Sequence, residues 1–400
     1  MSTLLWAWRY LWSRPLAATL NVLLLGLGLG SISFLLLVGF QLSKAFDRDL
    51  AGIDVVVGAK GSPMQLILSG VLHVDVPPGN IPLKAVRELE KHPLVASIIP
   101  ISLGDSLQGF RIVGTSHAYA DHYGATLAQG RNWAAPMEAV LGATVARKLG
   151  LKPGDRFIGS HGLGGGGHLH GDNPYTVVGI LQPSGSVIDR LVLTDTASVW
   201  KVHEDYTAVD DEDRAALEEE REITMALVQY KTPMAALSFP RYVNTSTEMQ
   251  AAAPALEITR LLSMLGLGTD VLRAFAGVLL LTAGLSVFIA LWSAVRERRA
   301  DLAVLRMLGA APAKVAALLL CEAVWLAVVA TALGLALGQG FTAALGWFLQ
   351  LDNSLLIGGM VWPATLAVVP ALALGVSIVS ALLPTWAAYR VSVLELLQTR

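Results

Sequence analysis

The chain has 400 residues, of which 54% are hydrophobic and 15% charged, and its mean hydropathy is +0.57. Soluble globular proteins carry about 25% charged residues, so this composition excludes a wholly soluble protein and places part of the chain in lipid. A formal net charge of -2 hides a segregation, because 20 of the 29 Lys and Arg and 26 of the 31 Asp and Glu lie between Lys44 and Arg273, while the single cysteine, Cys321, excludes a disulfide framework and a thiolate cluster.

Residues 1–14 read as a cytoplasmic segment carrying Arg9 and Arg14, and from Pro15 to Leu42 no residue is charged. A helix of that length, rising about 1.5 Å per residue, crosses a hydrocarbon core of about 30 Å with tilt to spare. The run is about twice as long as the apolar region of a signal peptide, and no small-x-small cleavage site follows it. Residues 15–42 are therefore expected to form a first membrane span. Gly26 and Gly30 make a small-xxx-small pair, as do Gly334 and Gly338 later in the chain. Such pairs let helix backbones approach closely, and they predict a helix–helix or dimer seam.

Residues 43–273 read as an α/β domain outside the cytoplasm, because short β-branched runs bounded by Gly, Pro and Asp alternate with helical patterns. Strands are expected at Asp54 to Val57, Val95 to Ile99, Phe110 to Val113, Tyr175 to Leu181 and Arg190 to Leu193. Helices are expected from Pro82 to Lys91 and from Ala143 to Leu149, the second closed by Gly150 in the usual C-terminal position. A segment of about 230 residues can bury its own core, in one lobe or two. All eight histidines fall here, three of them in the glycine-rich stretch from His161 to Asp172. Imidazole is the commonest ligand for borderline metals, and His161, His168, His170 and Asp172 make zinc the natural candidate ion. A solvated Gly-His loop is the plainer alternative. Ten carboxylates between Glu204 and Glu222, against Arg214 and Arg221 alone, read as a solvated acidic face.

Further apolar runs predict spans at 274–295, 315–348 and 363–389, separated by a basic loop at 296–314 and a short external loop at 349–362, with a tail at 390–400. Glu322 is the one charge inside these runs. An intramembrane carboxylate costs about 3 kcal/mol on insertion scales unless it meets a partner or water. Pro370 predicts a kink in the fourth span. Arg9 and Arg14 precede the first span, Arg296, Arg298, Arg299, Arg306 and Lys314 fill the second-to-third loop, and Arg390 and Arg400 follow the fourth. The loop from Gly346 to Trp362 has Asp352 and no Lys or Arg. Basic residues at short loops favour the cytoplasm, so both termini are expected there and residues 43–273 on the other side of a bacterial inner membrane.

The basic loop, Arg296-Glu-Arg-Arg-Ala-Asp-Leu-Ala-Val-Leu-Arg-Met-Leu-Gly-Ala-Ala-Pro-Ala-Lys-Val315, resembles the signature of the MacB/FtsX/LolCE class of ABC permeases. Three further segments are similar to that class: Trp8-Arg-Tyr-Leu-Trp-Ser-Arg-Pro15, Leu141-Gly-Ala-Thr-Val-Ala-Arg-Lys-Leu-Gly-Leu-Lys-Pro-Gly-Asp155 and Pro384-Thr-Trp-Ala-Ala-Tyr-Arg-Val-Ser-Val-Leu-Glu-Leu-Leu397. The resemblance implies a four-helix permease with a MacB-like periplasmic domain between the first and second helices. It also implies a second permease copy as partner, a separate cytoplasmic ATPase that binds the ATP, a periplasmic adaptor or binding protein, and no nucleic acid. In this class the second-to-third loop receives the nucleotide-driven motion and the second span carries it outward, a mode called mechanotransmission. Arg296, Arg299, Leu302, Leu305, Arg306, Leu308 and Gly309 are the corresponding coupling residues, and the leucines make an apolar stripe suited to a partner groove.

No Gly-x-x-x-x-Gly-Lys-Ser/Thr occurs in the chain, so ATP hydrolysis is expected elsewhere. Export or extraction of a substrate on the periplasmic side is the leading reading. FtsX-like signalling to a cell-wall hydrolase and lipoprotein release remain as alternatives, since they share the whole architecture. A metal-dependent enzyme is disfavoured, because no His-Glu-x-x-His and no nucleophile with a partner of recognisable spacing occurs.

Overall fold

The structure, a computed structural model, describes residues 3–162, 173–203, 220–297, 304, 307, 310–351 and 360–389. In chain order it begins with α1 (Thr3–Leu11), α2 (Pro15–Asp49), β1 (Val55–Ala59), α3 (Pro63–Gly70), β2 (Ile81–Pro82), α4 (Leu83–Glu90), β3 (Val95–Leu107) and β4 (Phe110–Thr115). There follow α5 (His117–His122), β5 (Leu127–Gly130), β6 (Glu138–Leu141), α6 (Ala143–Leu149), β7 (Arg156–Phe157), β8 (Ser160–His161), β9 (Tyr175–Leu181), β10 (Val192–Asp195) and α7 (Thr196–His203). The last elements are β11 (Glu222–Ile223), β12 (Met225–Tyr230), α8 (Ala235–Ser246), β13 (Met249–Ala252), α9 (Pro254–Glu297), α10 (Pro312–Leu351) and α11 (Val368–Tyr389). Two compact units result, one of residues 1–42, 265–349 and 357–400, the other of residues 43–264 and 350–356.

The first unit is helical, and α2, α9, α10 and α11 supply four helices long and apolar enough to cross a membrane. Pro15, Pro254 and Pro312 each open their helix at the first position, where a missing N–H costs nothing and the fixed φ is already helical. Leu25, Leu29, Ala283, Ala327 and Ala330 pack into one internal cluster, and Val22, Val287, Leu291, Leu319 and Ala323 into another. Leu16, Leu281 and Leu285 point away from the protein, as lipid-facing positions require. The expected kink at Pro370 is corrected: this proline sits in the first turn of α11, where a backbone N–H has no carbonyl partner within the helix and its absence costs little, and the internal proline is Pro384.

The second unit is built on a sheet in the order β13-β1-β12-β3-β4-β10-β6-β9-β5, with β8 added to β3 and β7 to β9; β2 and β11 form a separate ribbon. Two hydrophobic clusters lie along this one sheet. The first joins Val55, Val57, Val86, Leu89, Val95, Val228 and Phe239, and the second joins Phe110, Leu141, Val145, Phe157, Tyr175 and Val192. The two lobes allowed by length are thus two cores sharing a sheet. β3 is the element common to both halves, and it runs to Leu107 although the sequence reading stops at Ile99. Pro100, which has no N–H to give, keeps its place opposite Ala226, and its carbonyl accepts the Thr115 hydroxyl at 2.8 Å. α6 occupies Ala143–Leu149 and ends on Gly150 at φ 69°, a left-handed conformation that only glycine adopts without strain. Arg190, expected to start a strand, instead ends a 3-10 turn (Val187–Arg190), and β10 begins at Val192.

Candidate functional site

In the helical unit the two glycine pairs meet each other. A methyl group placed on Gly334 would lie 2.6 Å from Leu29 Cβ and 3.2 Å from the Gly30 nitrogen, and one on Gly30 would lie 3.0 Å from Leu337 Cβ. The seam is therefore between α2 and α10 of the same chain, and its backbones touch because no side chain separates them.

Nearer the start of α2 the helices part around a cavity of about 280 Å3, lined by Arg14, Asn21, Ser286 and Glu322 among apolar side chains. Glu322 is 5% exposed and Asn21 3%. The Ser286 hydroxyl donates to Asn21 Oδ1 at 2.6 Å, and Arg14 forms an ion pair with Glu297, the last residue of α9. α1 packs alongside, with Trp8 on Trp325 at 4.9 Å between centroids and the Trp325 indole N–H donating to the Leu4 carbonyl at 3.1 Å. Of the coupling residues expected from the sequence, Arg296 lies in the last turn of α9. Arg299, Leu302, Leu305, Arg306, Leu308 and Gly309 lie outside the described residues. Their neighbours Val304 and Met307 are helical, with apolar side chains exposed.

In the sheet unit His161 belongs to a strand, which corrects its reading as part of a loop. β8 pairs with β3 so that His161 stands opposite Asp105, and its Nδ1 lies 3.3 Å from the buried Asp105 carboxylate. His168, His170 and Asp172 lie outside the described residues, and among the described residues no three His, Cys, Asp or Glu side chains converge as a metal site. Other histidines serve elsewhere: His92 packs against Phe239 and Tyr242, and His117 Nε2 lies 2.9 Å from the Trp133 carbonyl oxygen.

A cluster of buried charge that the sequence does not announce surrounds the C-terminal end of α2. The Asp49 carboxylate accepts the Val187 N–H at 3.1 Å and the Arg48 Nε–H at 3.3 Å, and its backbone carbonyl accepts the Tyr123 hydroxyl at 3.0 Å. Burial raises the Asp49 carboxyl above its ordinary range, with the Arg48 guanidinium opposing. Arg190, itself buried, has its guanidinium pushed down by desolvation while Asp49 and Asp189 pull it back up. Asp189 in turn accepts the backbone N–H groups of Ser184 and Gly185, at 2.9 and 2.7 Å. His73, with Nε2 2.9 Å from the Tyr119 hydroxyl, closes the cluster, its imidazole kept neutral by desolvation and by Arg111 and Arg190. No spacing rule links residues 49, 73, 119, 123 and 190. Only Asp49 and Arg48, charges at the end of an apolar helix, carried a local hint.

Two family models match the chain in succession, that of the MacB-like periplasmic core domain over residues 18–256 and that of the FtsX-like permease C-terminal over residues 273–393. Among curated proteins, the pyoverdine export ATP-binding/permease protein PvdT of Pseudomonas putida is 24% identical over 363 residues, a match covering 85% of this chain and 52% of that protein. The chain thus spans about half the length of the curated relative it matches. Among solved structures, the periplasmic region of MacB from Actinobacillus actinomycetemcomitans aligns with 12% identity and a TM-score of 0.36, covering 54% of this chain and 95% of that one. The extracellular domain of the noncanonic ABC-type transporter YknZ from Gram-positive bacteria aligns with 13% identity and a TM-score of 0.31, over 49% of this chain and 98% of that one. With both models matched in order along an α/β unit and a set of four apolar helices, the chain belongs to the MacB/FtsX-type ABC permeases.

Proposed function

We propose that this permease couples ATP hydrolysis on a separate cytoplasmic ATPase to the export or extraction of a substrate on the periplasmic side of the bacterial inner membrane, working as a dimer with both termini in the cytoplasm. The observation that carries the reading is α9, a single helix of 44 residues. At 1.5 Å per residue it is about 66 Å long, roughly twice the hydrocarbon core. A stiff element of that length, ending where the basic loop begins, is suited to carrying a displacement rather than lining a pore. The relative's name joins ATP binding to permease, which supports ATP hydrolysis as the source of the driving motion. Export is preferred over FtsX-like signalling because the relative is named for export. Replacing Leu305 and Leu308 with aspartate tests the coupling. ATPase capture by the full chain and stimulation of its ATP turnover should both drop about tenfold or more; retention of both sinks the reading.

A link to zinc is the second reading, favoured by the Asp105–His161 pair. A carboxylate that orients an imidazole through one ring nitrogen is the usual outer-shell arrangement around a metal-binding histidine. Zinc titration of the full chain in detergent, before and after deletion of residues 161–170, tests it. Unchanged calorimetric affinity in the deletion removes zinc from that stretch.

A further inference from the structure

A small cavity of about 130 Å3 in the sheet unit has a buried guanidinium in its wall, that of Arg111. Strand alternation puts it there: Phe110 and Ile112 turn into the hydrophobic cluster, so Arg111 between them turns to the opposite face of β4. Arg111 is 6% exposed. Of its five N–H groups, one on Nη2 donates to the Asp75 carbonyl at 2.7 Å, and the Nε–H is buried without a protein partner. None of the ion pairs among the described residues includes Arg111. Asp75 stabilises its charge from a distance, while its own Oδ1 accepts the Val76 N–H at 2.7 Å. Desolvation pushes the guanidinium down to about 10, which leaves it charged at neutral pH.

A buried cation without a counter-ion is costly, and water can satisfy its donors without supplying the charge. The rest of the wall selects the anion. Val76, Pro77 and Leu103 make one side of the cavity apolar, and Val76, 58% exposed, marks where it opens to solvent. Asp105 also lines the cavity, with its carboxylate 3.3 Å from His161 Nδ1. One guanidinium balances one negative charge, so a dianion such as phosphate would carry an excess charge towards Asp105. A carboxylate brings a single charge, a planar shape that matches the guanidinium fork, and a substituent for the apolar side. We propose that this cavity binds a monocarboxylate with a short aliphatic substituent, its carboxylate on Arg111 and its alkyl group against Val76, Pro77 and Leu103. The site does not depend on the export reading, since neither ATP nor a partner is needed to fill it.

The experiment measures binding of radiolabelled butyrate to the full chain in detergent by equilibrium dialysis, in a buffer free of other carboxylates, with butyramide, inorganic phosphate and chloride as competitors. Binding should saturate, and unlabelled butyrate should displace the label about tenfold better than any of the three competitors. Arg111→Met, similar in length and uncharged, should abolish saturable binding. Arg111→Lys, which keeps the charge and loses the planar fork, should weaken it about tenfold. Val76→Asp, at the exposed mouth, should weaken it severalfold by repulsion, and it decides the matter if Arg111→Met does not elute as a single species. Absence of saturable binding, equal displacement by butyramide or chloride, a preference for phosphate, or undiminished affinity in a well-folded Arg111→Met or Val76→Asp overturns the site.

Discussion

At the scale of single residues, His73 is the most exacting position in the sheet unit. It is buried, holds a φ of 55°, and lies 2.9 Å from the Tyr119 hydroxyl. Its pKa sits well below the usual 6.5 because burial, with Arg111 and Arg190 nearby, disfavours the imidazolium. Between the folded and unfolded pKa values the unfolded chain binds a proton that the folded chain does not, so the associated stability is present above about pH 6.5 and is lost as the pH falls below it. Thermal unfolding should therefore shift to lower temperature between about pH 7.5 and pH 5.5. His73→Gln should flatten that slope while costing about 1–2 kcal/mol at neutral pH from the altered hydrogen bond. An equally steep slope in the variant assigns the pH dependence to other groups. The Asp49 cluster belongs to the same scale, and its members are far apart in sequence, which is why no motif drew attention to them.

At the scale of elements, the α2–α10 seam is where sequence and packing meet. Both glycine pairs were legible as places for close approach, since the spacing of four puts them on one helix face. Whether they faced each other or a second copy was not, because a one-dimensional pattern does not name its partner. With the seam inside the chain, Gly334→Leu should force α2 and α10 apart and cost about 1–3 kcal/mol, read as a lower melting temperature in detergent. Gly340→Ala, where nothing lies within 4 Å of an added Cβ, is the matched control and should be neutral or slightly stabilising, since alanine favours a helix over glycine. A loss there as large as at Gly334 would mean that the seam does not set the effect. α6 and its Gly150 cap were read in full because every signal for a short amphipathic helix is local. β3 and β8 were not, since a strand with Pro100 inside it, or one as short as Ser160–His161, exists through its neighbours' hydrogen bonds.

For the whole molecule, the proposed orientation has a direct check. With Cys321→Ser as background, Lys152→Cys in the sheet unit should react with a membrane-impermeant maleimide in cells whose outer membrane is opened. Met307→Cys, between α9 and α10, should react only after the inner membrane is permeabilised. The reverse pattern inverts the topology and removes the basic loop from the cytoplasm. The four spans, the basic loop and the α/β character of residues 43–273 were determined by the sequence itself, because lipid demands long uncharged runs and a half-buried strand demands β-branched residues within a few positions of each other. Hydropathy ends a span at the lipid boundary, so the continuation of α2 to Asp49 and of α9 back to Pro254 lay beyond its reach. Tertiary structure alone decided that Gly30 meets Gly334, that Asp49 meets Val187 and that Arg14 and Glu322 share a cavity. Each of these contacts joins residues more than a hundred positions apart, and only the packing of helices and the pairing of strands brings them together.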